Sequence, residues 1–269
     1  MNNFSVLMSV YTKENPIFLR DCLDSIVNQT IKPTEIVVVK DGKLNQELEN
    51  ILTNFNEKYD FLKIYGYEKN MGLGFALNYG LNKCSNEIVF RCDSDDINNL
   101  NRFKLQLECI ICRNCAIVGS NIEEFNSIPG DLKRYRNLPK SNHEISVFKH
   151  SRNPFNHMTV VFRKSIILNS GGYLDMPGYE DYYLWLRVLK TNEGFNIQSP
   201  LVYARVGNDM IGRRQGYDFM KYELKFQKQI FRDGLISSIS FCKNIITRVF
   251  PRLFPKFFLS LIYKIFLRK

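Results

Sequence analysis

The sequence predicts an α/β fold: a parallel sheet covered on both faces by helices, followed by a mixed second half. Two observations carry that reading. Four short, nearly continuous apolar stretches fall at about 5–10, 35–39, 62–67 and 88–90, and each is followed by apolar residues at helical spacing. Each stretch also ends in a polar segment, so four such loops collect at the carboxyl ends of the strands, where ligands bind in sheets of this kind.

The elements follow in order. The stretch 5–10 is the first strand. Pro16 suits the first position of a helix, and Leu19, Cys22, Leu23 and Ile26 keep its period to about Gln29. Lys32-Pro33 turns the chain into the buried strand 35–39, which Lys40-Asp41-Gly42 ends. Leu48, Ile51, Leu52 and Phe55 mark a second helix over 45–58, and a third strand spans 62–67. Asn70-Met71-Gly72-Leu73-Gly74 opens a third helix. The segment 87–96, EIVFRCDSDD, is then a strand ending in Asp93, Asp95 and Asp96, with a helix through Arg102, Phe103 and Ile110 behind it. After Ala116 the repeat breaks down. One or two strands are expected over 117–125, a basic loop over 129–141, strands over 158–162 and 201–206, a helix opened by Glu180-Asp181, and a long helix to about Arg232.

The chain has 269 residues, 45% of them hydrophobic, enough for one large domain with an appendage. Its net charge is +10, but residues 235–269 hold seven basic and no acidic side chains, leaving 30 basic against 27 acidic in the rest. An evenly basic nucleic-acid binder would not concentrate its charge so, and no nucleic-acid partner is expected. Seven cysteines and a start without a basic, then apolar, leader point to a reducing cytosolic setting with free thiols. Cys109, Cys112 and Cys115 lack a fourth ligand at metal-site spacing and read as helix thiols.

Three carboxylates within four positions at the end of a buried strand need a reason. Either they cap a helix and sit in solvent, or they hold a divalent cation together with phosphate oxygens. Asp41 reads either as an acceptor for a ribose or base or as a turn residue before Gly42. Asn70-x-Gly-x-Gly brings backbone N–H groups toward a phosphate or is only a helix entry. It follows the third strand, not the first, which counts against a dinucleotide fingerprint. Glu180-Asp181 complements a helix N-terminus or supplies a general base. His157 is a cation or phosphate contact or a structural histidine. Arg213-Arg214 clamps a diphosphate or is a solvated pair.

Ser9-Val10-Tyr11 with Glu14, VVVKDG, NMGLGFALNYGL, RCDSDDI with Arg102, and GYEDYYLWLR together resemble glycosyltransferase family 2, over about 4–233. They are similar in particular to its bacterial exopolysaccharide (amylovoran-like) and O-antigen enzymes. The resemblance implies a GT-A fold with a mixed central sheet, an inverting mechanism, a nucleotide-sugar donor (a UDP-sugar) and Mn²⁺ or Mg²⁺. It implies a donor-binding half over 1–116, an acceptor half over 117–233 and a tail over 234–269. Donor contacts fall on Ser9, Tyr11, Glu14, Asp41, Asn70, Gly72, Asp93 and Ser94. Asp95 is the metal ligand and Asp181 the catalytic base; His157, from its polar turn and not from the resemblance, is the second candidate ligand. Glu180, Arg213 and Arg214 face the diphosphate or acceptor. Lys40 stands where many relatives have Asp. Gln-x-x-Arg-Trp, found in processive members, is absent around 213–214, which implies one sugar added per acceptor.

The tail, 241–267, mixes Phe, Leu and Ile with Lys and Arg, and Pro251 and Pro255 interrupt it. A basic amphipathic segment lying on the inner face of the plasma membrane accounts for both features, and an oligomer interface is the rival. In related enzymes the acceptor is a saccharide on a polyprenyl diphosphate, held in that membrane. The rival function is a non-catalytic nucleotide-binding module.

Overall fold

The computed structural model describes residues 3–206 and 217–249. Strands β1 (Phe4–Val10), β2 (Glu35–Asp41), β3 (Leu62–Tyr67) and β4 (Ile88–Cys92) alternate with helices α1 (Pro16–Val27), α2 (Gln46–Lys58) and α3 (Leu73–Lys83). These four strands are parallel and lie in the order β3-β2-β1-β4. The chain steps outward from β1 to β3 and then returns to the other side of β1. That reversal opens a crevice between the carboxyl ends of β1 and β4.

Alternation along β1 supplies both cores. Val6 and Met8 pack with Leu19, Cys22 and Ile26 of α1 and Leu48 and Leu52 of α2. Leu7 faces the other way, onto Ala76, Leu77 and Leu81 of α3. Gly80 lets α3 lie against the sheet: a Cβ there would meet Leu7 Cδ1 at 2.4 Å and Val39 Cγ2 at 2.6 Å. Local signals start the helices. Asn15 accepts from Ile17 N at 2.9 Å ahead of Pro16, and Asn45 accepts from Leu48 N at 3.0 Å.

The second half completes a mixed sheet. It contributes β5 (Ile97–Asn98), α4 (Arg102–Cys112), β6 (Ile117–Phe125), β7 (Arg134–Arg136), α5 (Asn142–Phe148), β8 (Val161–Arg163), α6 (Lys164–Asn169), α7 (Glu180–Val188) and β9 (Gly194–Arg205). β8 pairs antiparallel with β4, β6 with β8, and β9 runs parallel to β6. Residues 117–125 form one strand, within the expectation. Other expectations are corrected here: the basic loop contains the edge strand β7, and His157–Thr159 is a 3-10 turn ahead of a shorter β8. β9 begins at Gly194, earlier than expected at 201. Pro200 hid its first half; it sits where the β6–β9 register shifts, a place that tolerates a missing N–H.

Helix α8 (Tyr217–Arg232) and α9 (Ser238–Asn244), with a π turn over Ile245–Val249, close the described chain. Leu235, Ile236 and Phe241 pack with Phe226 and Ile230 of α8 and with Tyr179, Tyr182 and Tyr183. The first part of the expected tail is therefore built into the body.

Candidate active site

β4 drives the acidic cluster into the crevice. Beyond Cys92, Asp93, Asp95 and Asp96 bring one carboxylate oxygen each to within 4.8 Å of one another. The strand itself carries a charge: Arg91 is 1% exposed, and its guanidinium pairs with Asp93 Oδ1. Arg102, fully buried on α4, donates to the carbonyl of Arg91 at 2.7 Å and to Asn98 Oδ1, fixing the strand end on which the acids stand.

Arg205, at the end of β9, holds the same loop from the other side. Its Nε donates to the carbonyl of Asp95 at 3.1 Å, its backbone N–H to Asp96 Oδ1 at 2.9 Å, and its Nη2 to Asp21 at 3.2 Å. The guanidinium lies 3.8 Å from the ring centre of Phe18 and 4.5 Å from that of Phe125. Burial, then the neighbouring Asp93 and Glu14, push Asp95 up to about 7. Asp96 rises well above the usual carboxylate range through burial, Asp95 and Asp93, and its Oδ2 is buried without a hydrogen-bond partner. Such crowding disfavours the charged form unless a cation joins the set. The donors are all hard carboxylate oxygens, which fit Mg²⁺ or Mn²⁺.

The loop after β1 closes on the cluster. Ser94 Oγ donates to Glu14, whose own N–H is tied to the Tyr11 carbonyl at 3.0 Å. Ser9 is half-buried, and the Tyr11 ring is exposed at the crevice. Asp41 does more than end a turn. Its carboxylate accepts from Tyr67 OH at 2.9 Å, Met71 N at 2.7 Å and Gly72 N at 3.1 Å, while Asn70 Nδ2 reaches its carbonyl at 3.2 Å. Gly42, at φ +85°, lets Asn70 approach: a Cβ would lie 2.7 Å from Asn70 N. Asp41 thus shapes the loop 70–72 that leads into α3.

The second half docks the start of α7, which carries Glu180 and Asp181, against the start of α3. Asn78 on α3 donates to the Tyr173 carbonyl at 2.6 Å and accepts from Tyr173 N at 2.8 Å, docking the segment ahead of α7. A Cβ on Gly74 would lie 3.3 Å from Glu180 Cγ, so the N-termini of α3 and α7 abut. Burial raises Glu180, and Asp181 and Asp175 add to it. Asp181 Oδ2 accepts from Asn153 Nδ2 at 2.7 Å, and Oδ1 from Tyr182 N at 2.7 Å. Burial raises the phenol of Tyr173; Arg91 opposes, and Asp181 and Asp93 add to the rise.

His157 does not enter the carboxylate cluster. Its Nε2 lies 3.1 Å from Tyr173 OH, and its ring packs against Trp185. Burial and the charge of Arg91 hold it well below its ordinary value, so it is neutral. These contacts fit the structural alternative for this histidine. Arg213 and Arg214 lie outside the described residues.

Sequence reasoning missed Arg91, Arg205, Asn153, Tyr173 and Asn78 as site components. Arg91 had a signal, a charge inside an otherwise apolar strand, and so did Arg205 at the end of LVYAR. Nothing local marks Asn153 or Asn78, whose partners are 28 and 95 positions away.

The architecture matches solved glycosyltransferases. Staphylococcus aureus TarS 1-349 in complex with UDP-GlcNAc superposes with a TM-score of 0.67 at 19% identity, over 99% of this chain and 76% of that one. The mannosyltransferase PcManGT from Pyrobaculum calidifontis, in complex with GDP-Man and Mn²⁺, gives 0.68 at 14% identity, over 93% and 71%. The fold is therefore GT-A, the fold of a class of nucleotide-sugar-dependent transferases. In sequence, the chain is 42% identical over 270 residues to the Escherichia coli UDP-Gal:alpha-D-GlcNAc-diphosphoundecaprenol beta-1,3-galactosyltransferase, covering 99% of this chain and 97% of that one. It is 36% identical over 254 residues to the amylovoran biosynthesis glycosyltransferase AmsE of Erwinia amylovora, covering 92% and 94%. The profile of Glycosyl transferase family 2 matches residues 5–168, and the chain belongs to that family. It is a glycosyltransferase, which answers the rival reading as a non-catalytic module.

Proposed function

We propose that this enzyme moves one hexose or N-acetylhexosamine from a UDP-sugar to a saccharide carried on a polyprenyl diphosphate, with inversion, in building a bacterial surface polysaccharide. The observation that carries the proposal is the carboxylate cluster at the crevice, and the packing of the start of α7, which carries Asp181, on the start of α3 supports it. The full-length similarity to an enzyme named for UDP-Gal and a diphosphoundecaprenol acceptor supports the substrate class.

Asp95 and Asp93 would hold the divalent cation, Mn²⁺ or Mg²⁺, with Asp96 behind them. When bound, that cation supplies positive charge against the departing nucleoside diphosphate. Tyr11 offers an exposed ring to the base. Ser9, Glu14 and Ser94 line the neighbouring wall, and Asp41 presents the backbone of Asn70 and Gly72. Asp181, oriented by Asn153, takes the proton from the acceptor hydroxyl as that oxygen attacks the anomeric carbon. Attack opposite the leaving group in one displacement inverts the centre, unlike the double displacement of retaining glycosidases. Glu180 sits beside the base against the donor loop, facing the acceptor side.

Residues 1–116 serve the donor and 117–233 the acceptor. The chain beyond docks on the cytoplasmic leaflet. Ile239 on α9 is 82% and Ile246 in the following π turn 64% exposed, with Lys243 between them. No helix among the described residues is long and apolar enough to cross a membrane.

Incubating the enzyme with UDP-galactose, Mn²⁺ and a synthetic N-acetylglucosaminyl-diphospholipid tests the proposal. A disaccharide-lipid with inverted anomeric configuration by NMR is expected. A retained configuration, or no transfer from any UDP-sugar, contradicts it.

A further inference from the structure

The loop 149–153 is gripped at three consecutive carbonyls by three different side chains. Tyr182 OH donates to Lys149 O at 2.6 Å, Asn244 Nδ2 to His150 O at 2.9 Å, and Arg248 Nη1 to Ser151 O at 2.6 Å. Two residues further on, Asn153 reaches Asp181. Two of the three donors thus come from the C-terminal segment, and all act just upstream of the amide that orients the base.

Those two donors are themselves held by α8. Glu223, fully buried, receives Arg248 through a fork, Nε to Oε1 at 2.9 Å and Nη2 to Oε2 at 3.2 Å. The same carboxylate accepts from Tyr179 OH at 2.7 Å and Gln227 Nε2 at 2.9 Å, and Gln227 Oε1 accepts from Asn244 at 3.0 Å. Tyr179 and Tyr182 bracket Glu180-Asp181 in sequence, and both rings pack on Phe226. A buried ionic network is an expensive way to hold two helices together, because apolar packing would serve stability as well. What it adds is a fixed geometry.

We infer that Asn244 and Arg248 are positioning residues for Asp181, acting through the 149–151 carbonyls and Asn153. The inference rests on Asp181 being the base. It makes the segment that leads into the basic tail a part of the active-site frame. An anchor at the tail and the orientation of the base then share one rigid connection.

The test is a double-mutant cycle on the full-length enzyme, read as kcat, donor KM and the pH dependence of kcat. Asn244→Ala and Asn153→Ala should each lower kcat about tenfold or more with donor KM unchanged. Each should move the acidic limb of the profile upward, since Asp181 loses a donor to its charged form. Combined, they should cost little more than Asn153→Ala alone. Arg248→Lys should fall between wild type and Arg248→Ala, because a point charge cannot reproduce the fork. Ser238→Ala, at the exposed start of α9, should match wild type. Additive losses, or an unchanged pH profile, overturn the inference while Asp181→Asn remains inactive. Full turnover in Asp181→Asn would instead overturn the assignment of the base, which separates the two failures.

Discussion

Arg205 donates from Nε to the main-chain oxygen of Asp95 at 3.1 Å, across 110 positions of sequence. The last strand of the sheet thereby fixes the loop that ends the fourth. Stacking on Phe18 and Phe125 removes the freedom the guanidinium would have in solvent, so little further entropy is lost on holding the loop.

Replacing that arginine tests the clamp. Arg205→Ala should weaken Mn²⁺-dependent UDP binding by about tenfold or more, the scale of a lost charge-assisted hydrogen bond. Arg205→Lys should recover little, because lysine keeps the charge but neither the stack nor the fork. Calorimetry with UDP, with and without Mn²⁺, checks both. Unchanged affinity in Arg205→Ala would show that the loop keeps its shape unaided.

The acidic cluster predicts a pH signature. Asp95 is held at about 7 in the folded chain against about 3.9 when unfolded. The folded state therefore binds that proton more tightly. Its stabilising effect is complete below about pH 4 and is lost as pH rises through about 7. His157 and His150 are shifted down by burial and work in the opposite sense through their unfolded range. The difference between wild type and Asp95→Asn isolates the carboxylate. Without metal, Asp95→Asn should gain melting temperature relative to wild type from pH 5 to pH 8. Mn²⁺ should stabilise wild type more at pH 8 than at pH 5 and should have much less effect on the variant.

The first half of this chain was legible because its elements are local. Val37, Val38 and Val39 announce a buried strand, and Pro16 and Asn45 announce helix starts. The convergence of their loops followed from the parallel strand–helix alternation alone. The second half was less so. Pro200 interrupts a strand that the structure continues through a register shift, and Met158 looks like strand but belongs to a turn. Within the site, the carboxylates and Asp181 stood out as charges without an apolar rationale. Arg205, Asn153 and Asn78 act through tertiary hydrogen bonds, which leave no periodic or compositional trace.

Asp181→Asn keeps the shape and one acceptor oxygen, which can still take the bond from Asn153, but removes the proton acceptor. Transfer should fall by about 10²–10⁴-fold, while UDP affinity and melting temperature stay near wild type. Product formation followed by mass spectrometry, beside calorimetry with UDP, distinguishes loss of chemistry from loss of binding. A variant that turns over normally would remove Asp181 from the mechanism.

The packing of α3 on the sheet has its own test. Gly80→Val places methyl groups where Leu7 Cδ1 and Val39 Cγ2 already lie within 2.4 and 2.6 Å of a built Cβ. Overpacking of this kind costs about 1–3 kcal/mol, and chemical denaturation should report it. The same helix carries Asn78 and the loop 70–74, so donor affinity should fall with it. A variant as stable as wild type would mean that α3 can ride further from the sheet.

The most direct measurement is anomalous diffraction at the manganese edge from crystals grown with UDP and Mn²⁺. One peak is predicted within direct ligand distance of Asp95, about 2–2.6 Å from its carboxylate oxygens, with the UDP diphosphate completing the shell. Manganese and nucleotide bound elsewhere, or an acidic cluster that stays metal-free while UDP is bound, would contradict the account.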